Sequence, residues 1–317
     1  MSLSVTPLHP VFVGEVSGID LRQPLDQASV QALEAAINRY GVLVFHDQPI
    51  TDEQQMAFSR NFGELETTVR AYRKDFVPRL DLHIADISNL DERNRVVTND
   101  DRRRLNALGN RLWHSDSSFK RIPARFSLLS ARAIPDAGGE TQFADMRAAW
   151  DALSQAMQRQ LDGLICEHTQ LYSRGSIGFT DYAAEERAKM APVPQVLVRT
   201  HPGSGRRSLF LSSHAGAIRD MPVPEARVLL LDLMEHATQR EFVYTHRWKV
   251  GDLVMWDNRC TMHRARAYDE SQVRDMHRTT VSDGTPTVPD TQLAPPPSWP
   301  GLSLTFPHNP LWTQRVG

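Results

Sequence analysis

Long apolar runs are missing from this sequence. No stretch approaches the roughly 20 apolar residues that span a bilayer. A charge of one sign is missing as well. Lys and Arg total 36 against 38 Asp and Glu, a formal net charge of −2. The globally basic footprint of a nucleic-acid binder is therefore absent. Cysteine is scarce: Cys166 and Cys260 are the only two, with no CxxC spacing. That argues against a disulfide framework or a thiolate zinc site, and it fits a reduced cytoplasm. The opening MSLSVTPLHP has no basic region followed by an apolar stretch, so no secretory signal is expected. What is present is a chain of 317 residues, 40% hydrophobic and 23% charged. That composition excludes a wholly disordered chain, and the length supports a sizeable core.

Along the chain, Asp26 or Ser29 is placed to cap a helix. Val30, Leu33, Ile37 and Tyr40 recur there at helical spacing, and Gly41 falls just past the end. The run GVLVF (41–45) reads as a buried strand. Thr51 to Gln54 spells a capping box, with Met56, Phe58 and Phe62 as packing residues behind it. Residues 66–110 are irregular and charged, carrying Arg70, Arg73, Lys74, DERNR and DDRRR. They read either as a solvated loop or as a lid over an active site.

From 110 onward short strands dominate, at 112–118, 125–131, 196–201, 208–213, 241–248, 252–257, 260–265 and 276–281. Two helices interrupt them. One lies within 145–163 on a stripe of Met146, Trp150, Leu153, Met157 and Leu161. The other spans about 223–238, with Val228, Leu231 and Met234. Strands outnumber helices and no βαβ rhythm is visible. The expected class is mainly β with added helices (α+β), a barrel or a double-sheet jelly roll. A single domain over 1–283, with a lid at about 66–110, is followed by a Pro-rich tail over 284–317. Its Trp299, Phe306 and Trp312 suit packing on the body or on a partner subunit, so a homo-oligomer is compatible.

The chemistry concentrates around His114-x-Asp116. On a strand, side chains two apart share a face, so imidazole and carboxylate stand together as two corners of a metal site. Two histidines and one carboxylate make the facial triad of non-haem Fe(II) oxygenases. His263, on the returning arm of a hairpin-like unit at 251–264, is a candidate third ligand; a hydrogen-bonded core histidine is the bland alternative. Arg274 and Arg278 lie four apart and would face the same way. Inward guanidiniums imply carboxylate ligands, whereas surface arginines imply nothing. Thr141 follows a Gly138-Gly139 turn, where its hydroxyl can donate to an anion.

Taken together, His114, Asp116, Thr141, His263, Arg274 and Arg278 match one family pattern. The sequence resembles the Fe(II)- and 2-oxoglutarate-dependent dioxygenases of the taurine/2,4-dichlorophenoxyacetate dioxygenase group. Supporting segments are FSRNFGELE (58–66), LWHSDSSF (112–119), GGETQFADMRAAWDAL (138–153), VRTHPGSGR (198–206), HATQREFVYTHRW (236–248) and GDLVMWDNRCTMHRA (251–265). The resemblance covers roughly 5–283 and is nearest to the 2,4-dichlorophenoxyacetate branch. It implies a jelly-roll core, with Fe(II) on His114, Asp116 and His263. It implies the distal carboxylate of the co-substrate 2-oxoglutarate on Arg274 and Thr141. A small anionic substrate would then meet Arg278 and, on a taurine-branch position, Asn110.

The implied reaction uses O2 to hydroxylate the carbon beside the carboxylate of an aryloxyalkanoate. A phenol and glyoxylate leave, together with succinate and CO2. A taurine or alkylsulfonate dioxygenase and an enantioselective phenoxypropionate dioxygenase share the same constellation. A non-catalytic metal- or carboxylate-binding jelly roll is the alternative of another class. Nothing calls for a nucleic-acid or membrane partner. One departure stands out: Ala71 falls where the phenoxyacetate branch leads one to expect a lysine for the substrate carboxylate, with Arg70 or Arg73 as substitutes.

Overall fold

The computed structural model describes residues 3–68 and 77–293. Its centre is a seven-stranded sheet. The strands run in the order Ser4–Pro7, Gly14–Ser17, Val42–Phe45, Leu253–Asp257, Ala124–Ala133, Asp275–Ser282 and Ile84–Asp86. The pairing is antiparallel except between Gly14–Ser17 and Val42–Phe45. The apolar run at 42–45 serves both faces of this sheet. Val42 and Val44 pack inward with Phe143 and Trp256, while Leu43 and Phe45 pack outward against Ile37 and Phe58. A strand buried on both sides needs a continuous rather than an alternating apolar run.

Val243–His246, Thr141–Asp145 and Thr261–Ala265 form a second, three-stranded sheet. Phe143 of this sheet shares one core cluster with Val44, Leu129, Val254 and Met276 of the large sheet. The two sheets therefore face each other across a common interior, the jelly-roll arrangement, with helices added outside. Two smaller sheets and the helix Val223–Ala237 complete the other flank around Leu197, Leu209, Ile218 and Leu233.

Local signals hold the helices in place. The Asp26 side chain accepts from the Ser29 N–H at the start of Gln27–Tyr40, and Gly41 ends that helix at φ +73°. A Cβ at Gly41 would also sit 2.9 Å from Arg147 Nη2, so the turn and the close approach both require glycine. Helix Asp52–Arg60 begins with both arms of the Thr51–Gln54 capping box made.

Elsewhere the structure departs from the sequence reading. Residues 112–118 form no strand. They follow a 3-10 turn, Leu108–Arg111, and only His114 pairs, in an isolated bridge to His263. The expected helix within 145–163 is two helices, Met146–Asp151 and Gln155–Leu161. Ser154 starts the second by accepting from the Met157 N–H. Helix Val223–Ala237 forms, but it buries Ala226, Leu230, Leu233 and Ala237 and leaves Val228 and Leu231 exposed. The text VLLLDL puts apolar residues on every helical face, so spacing could not choose among them.

The 66–110 region contains a sheet strand, Ile84–Asp86, and a helix, Arg102–Ala107, so it is not a plain loop. Arg70, Ala71, Arg73 and Lys74 lie outside the described residues, as do the prolines at 295–297 and Trp299, Phe306 and Trp312. Among the described residues no helix is long and apolar enough to cross a membrane.

Candidate metal centre

The bridge between His114 and His263 replaces the expected strand. The His114 N–H donates to the His263 carbonyl at 3.0 Å, and the His263 N–H returns the bond at 2.8 Å. The two imidazole centroids are 4.2 Å apart. Two residues on, Asp116 turns back toward them. Its Oδ1 lies 3.9 Å from His114 Nε2 and its Oδ2 3.6 Å from His263 Nε2. One ligand atom from each of the three residues fits within 4.8 Å of the others, and all three residues are buried.

Neighbours fix the carboxylate. The Asp116 N–H donates to Asn258 Oδ1 at 3.0 Å, Ser127 Oγ donates to Asp116 Oδ2 at 2.8 Å, and Arg278 Nη1 donates to Oδ1 at 2.5 Å. Asn258 is itself held by Trp256 Nε1–H and donates to Ser127. Sequence reasoning saw the Asp257-Asn258 pair only as a turn and missed this orienting role.

Protonation follows from the partners. His114 Nδ1 is 2.7 Å from the Leu112 carbonyl, which only accepts, so the proton sits on Nδ1. The Nε2 lone pair is then left facing Asp116, the usual way an outer partner prepares a histidine ligand. Burial pushes both imidazoles below their ordinary 6.5, His263 well below. Burial pushes Asp116 up, but Arg278 and the two imidazoles outweigh it and hold the carboxyl down at about 2. Two neutral imidazoles and one carboxylate are the protonation state that receives a divalent cation. His263 Nδ1 is buried with no hydrogen-bond partner among the described residues. A two-nitrogen, one-oxygen donor set suits Fe(II) with positions left open.

A cavity of about 910 Å³ opens on this group, lined by Asn110, His114, Asp116 and Arg278 of the residues singled out from sequence. Part of its wall comes from the 66–110 region through Thr68, Ala85, Ile87, Arg102 and Asn106. Phe119, Ile122, Met190 and Val193 supply apolar wall. Arg174, Tyr182 and His214 also line it, and sequence reasoning missed all three because no spacing ties them to His-x-Asp. Asn110 sits on the 3-10 turn rather than on a strand, and its Oδ1 accepts from Arg174 Nη2 at 3.2 Å.

Thr141, His263 and Arg274 do not line the cavity. Arg274 is 5% exposed. Its guanidinium reaches the carbonyls of Ile87 at 3.3 Å and Gly139 at 3.4 Å and lies over the Tyr268 ring. Among the described residues no carboxylate pairs with it, and burial pulls it below its ordinary 12.5. Thr141 follows two residues after Gly139 and accepts from Trp248 Nε1–H at 3.0 Å, so its own hydroxyl proton can point elsewhere. A second cluster, His201, Asp257 and Cys260, has metal-like spacing. There Arg259 takes Asp257 bidentately at 2.9 and 2.6 Å while His201 Nε2 takes it at 2.9 Å, so that carboxylate is consumed by structure.

Comparison with known proteins gives a consistent picture. Residues 4–280 match the family model "Taurine catabolism dioxygenase TauD, TfdA family". The chain is 49% identical over 288 residues to an alpha-ketoglutarate-dependent 2,4-dichlorophenoxyacetate dioxygenase of Cupriavidus pinatubonensis, covering 89% of this chain and 99% of that one. It is 36% identical to an (S)-phenoxypropionate/alpha-ketoglutarate-dioxygenase of Sphingobium herbicidovorans, covering 89% and 95%. A crystal structure of AAD-2 with Mn(II) and N-oxalylglycine superposes with a TM-score of 0.84 at 55% identity, covering 91% of this chain and all of that one.

Proposed function

The chain belongs to the taurine catabolism dioxygenase TauD/TfdA family, and from that premise we propose that it hydroxylates an aryloxyalkanoate such as 2,4-dichlorophenoxyacetate on its buried His114–Asp116–His263 group. The protein is a 2-oxoglutarate-dependent non-haem iron dioxygenase with Fe(II), 2-oxoglutarate and O2 as its cofactor and co-substrates. Bound Fe(II) supplies the reaction with O2, coupled to conversion of 2-oxoglutarate into succinate and CO2.

The rest of the work falls to side chains. His114 offers Nε2 because the Leu112 carbonyl holds its proton on Nδ1. Asp116 offers a carboxylate kept ionised by Arg278 and oriented by Ser127. Arg274, a buried cation without a carboxylate partner among the described residues, receives the distal carboxylate of 2-oxoglutarate, and the Thr141 hydroxyl adds a hydrogen bond. Arg278 stands on the cavity wall beside the ligands, and its Nε has no partner among the described residues. It holds the substrate carboxylate so that the adjacent C–H faces the metal, and Asn110 steadies that end. Such positioning replaces a random encounter with a fixed approach. The aryl ring lies against Phe119, Ile122, Met190 and Val193, where its burial is favourable. The hydroxylated carbon then bears both OH and the aryl ether, and this hemiacetal collapses to a phenol and glyoxylate.

The observation that carries the reading is the buried two-histidine, one-carboxylate group whose His114 and Asp116 line a cavity that also holds Arg278. The test is succinate and phenol release by protein given Fe(II), ascorbate, 2-oxoglutarate and O2. The panel holds 2,4-dichlorophenoxyacetate, both dichlorprop enantiomers, cinnamate and taurine. Phenol release from the phenoxyacetate supports the assignment. Succinate stimulated by taurine alone would move the substrate to the sulfonates and keep the ligand set.

A further inference from the structure

Arg174 lies in the last turn of the short helix Gln170–Gly175 and is buried at 5% exposure on the cavity wall. Its seat is built from two segments. Nη2 donates to Asn110 Oδ1 and Nη1 donates to Ser173 Oγ, both at 3.2 Å. The Arg174 side chain approaches Gly109 closely. A Cβ there would stand 2.4 Å from both Cζ and Nε of Arg174. Gly109 has no left-handed φ to explain it, so close approach of the cation is what excludes a side chain at that position.

Ser173 Oγ pairs in turn with His214 Nδ1 at 2.8 Å. The His214 ring meets His114 edge-on at 6.0 Å and Phe119 at 4.9 Å. Asn110, Arg174, Ser173 and His214 thus form one hydrogen-bonded line, with Asn110, Arg174 and His214 on the cavity wall and Ser173 buried behind it. Arg174 and Arg278 line the same cavity as His114, so both cations face one ligand space. Arg278 gives one of its amino groups to Asp116. A carboxylate offers about four lone-pair sites and accommodates donors from two guanidiniums.

We propose that Arg174, seated on Gly109 and oriented by Asn110 and Ser173, is a specificity-determining residue that receives the anionic end of the substrate jointly with Arg278. The proposal rests on the aryloxyalkanoate reading for its choice of ligand. It accounts for a glycine at 109 and for a guanidinium held on the cavity wall beside His114 and His214.

The experiment compares the affinity of 2,4-dichlorophenoxyacetate with that of its neutral primary amide. Calorimetry is done without O2 on enzyme loaded with Fe(II) and 2-oxoglutarate. Wild type should prefer the acid. Arg174→Gln should weaken the acid by at least about tenfold and the amide by less than about twofold, because a neutral ligand does not use the charge. Arg174→Lys should fall between. Gly109→Ala, which keeps the arginine but pushes it off its seat, should follow Arg174→Gln.

Equal weakening of acid and amide would overturn the proposal, because a residue that merely supports Asn110 gives that result. An acid affinity unchanged in Arg174→Gln would overturn it as well. Should Arg174→Gln not fold, the same acid-to-amide ratio in the other two variants decides. Wild type that binds the acid but releases no phenol refutes the reaction and leaves the ratio to judge Arg174. Wild type that binds no acid refutes both.

Discussion

At the scale of single residues, the site is a set of charges whose partners arrive from elsewhere. His114-x-Asp116 was legible because two positions apart is a short-range signal. It was legible for the wrong local reason, since a bridge and a turn rather than a strand bring the side chains together. His263 was legible only as a candidate, because its closeness to His114 is a contact between residues 149 positions apart in sequence. Asn258, His214 and Arg174 carried no signal, since their roles exist only once the chain has closed. Arg274 makes the sharpest prediction at this scale. A buried guanidinium with no carboxylate among the described residues costs stability until an anion reaches it. Arg274→Ala should therefore weaken 2-oxoglutarate binding by at least about tenfold, some 1.4 kcal/mol. The ligand-free variant should melt no lower than wild type. Calorimetry of 2-oxoglutarate binding and thermal unfolding without ligand check the pair. A clear drop in ligand-free melting temperature would mean that Arg274 is a structural cation.

At the scale of elements, caps were more legible than faces. Asp26, Gly41 and the Thr51–Gln54 box sit where their short-range chemistry puts them, because a cap is satisfied within four residues. Helical faces depend on what lies opposite, and VLLLDL could have buried any side. Ser154 divided a helix that the apolar stripe across 145–163 had joined, since a good cap outweighs weak periodicity. The capped helix Asp52–Arg60 also does long-range work. Gln55 Nε2–H donates to the carbonyls of Leu128 at 3.0 Å and His277 at 2.9 Å, while Ser130 Oγ donates to its Oε1 at 2.6 Å. The helix start therefore bears on two central strands. Thr51→Ala should cost about 1 kcal/mol by removing the side chain that accepts from the Gln54 N–H. Urea unfolding at neutral pH measures it. A loss indistinguishable from zero would mean that packing of Gln55 and Phe58 alone fixes this helix.

At the scale of the whole molecule, stability should carry a pH signature that comes from neither the metal ligands nor the cavity. His277, in the strand Asp275–Ser282, reaches back to the start of helix Asp52–Arg60. Its Nδ1 is 2.6 Å from Asp52 Oδ1, and its Nε2 is 3.3 Å from Asp275 Oδ1, a charge contact rather than an aligned hydrogen bond. Arg79 and Arg132 complete the cluster on the two carboxylates. Burial pulls His277 down, but the two carboxylates outweigh it and raise it above its ordinary 6.5. Burial pushes Asp52 and Asp275 up, but His277 and the arginines outweigh it, and Asp275 falls to about 2. A histidine held above its ordinary value binds its proton more tightly folded than unfolded. Its contribution is full below 6.5 and disappears as pH rises through the higher folded value. The carboxylates contribute above their ordinary 3.8 and lose that contribution as pH falls through their lowered values. The cluster is therefore most stabilising between those two ordinary values. Metal-free protein should lose on the order of 1 kcal/mol between about pH 6 and about pH 9 through this cluster, the size of one partly buried ion pair. His277→Gln keeps a donor but cannot take up the proton, so its unfolding free energy should be flatter over that range. Urea unfolding of both proteins across it measures the difference. Parallel curves would mean that His277 stays neutral in the fold and that the helix is held to the sheet by the neutral hydrogen bonds of Gln55.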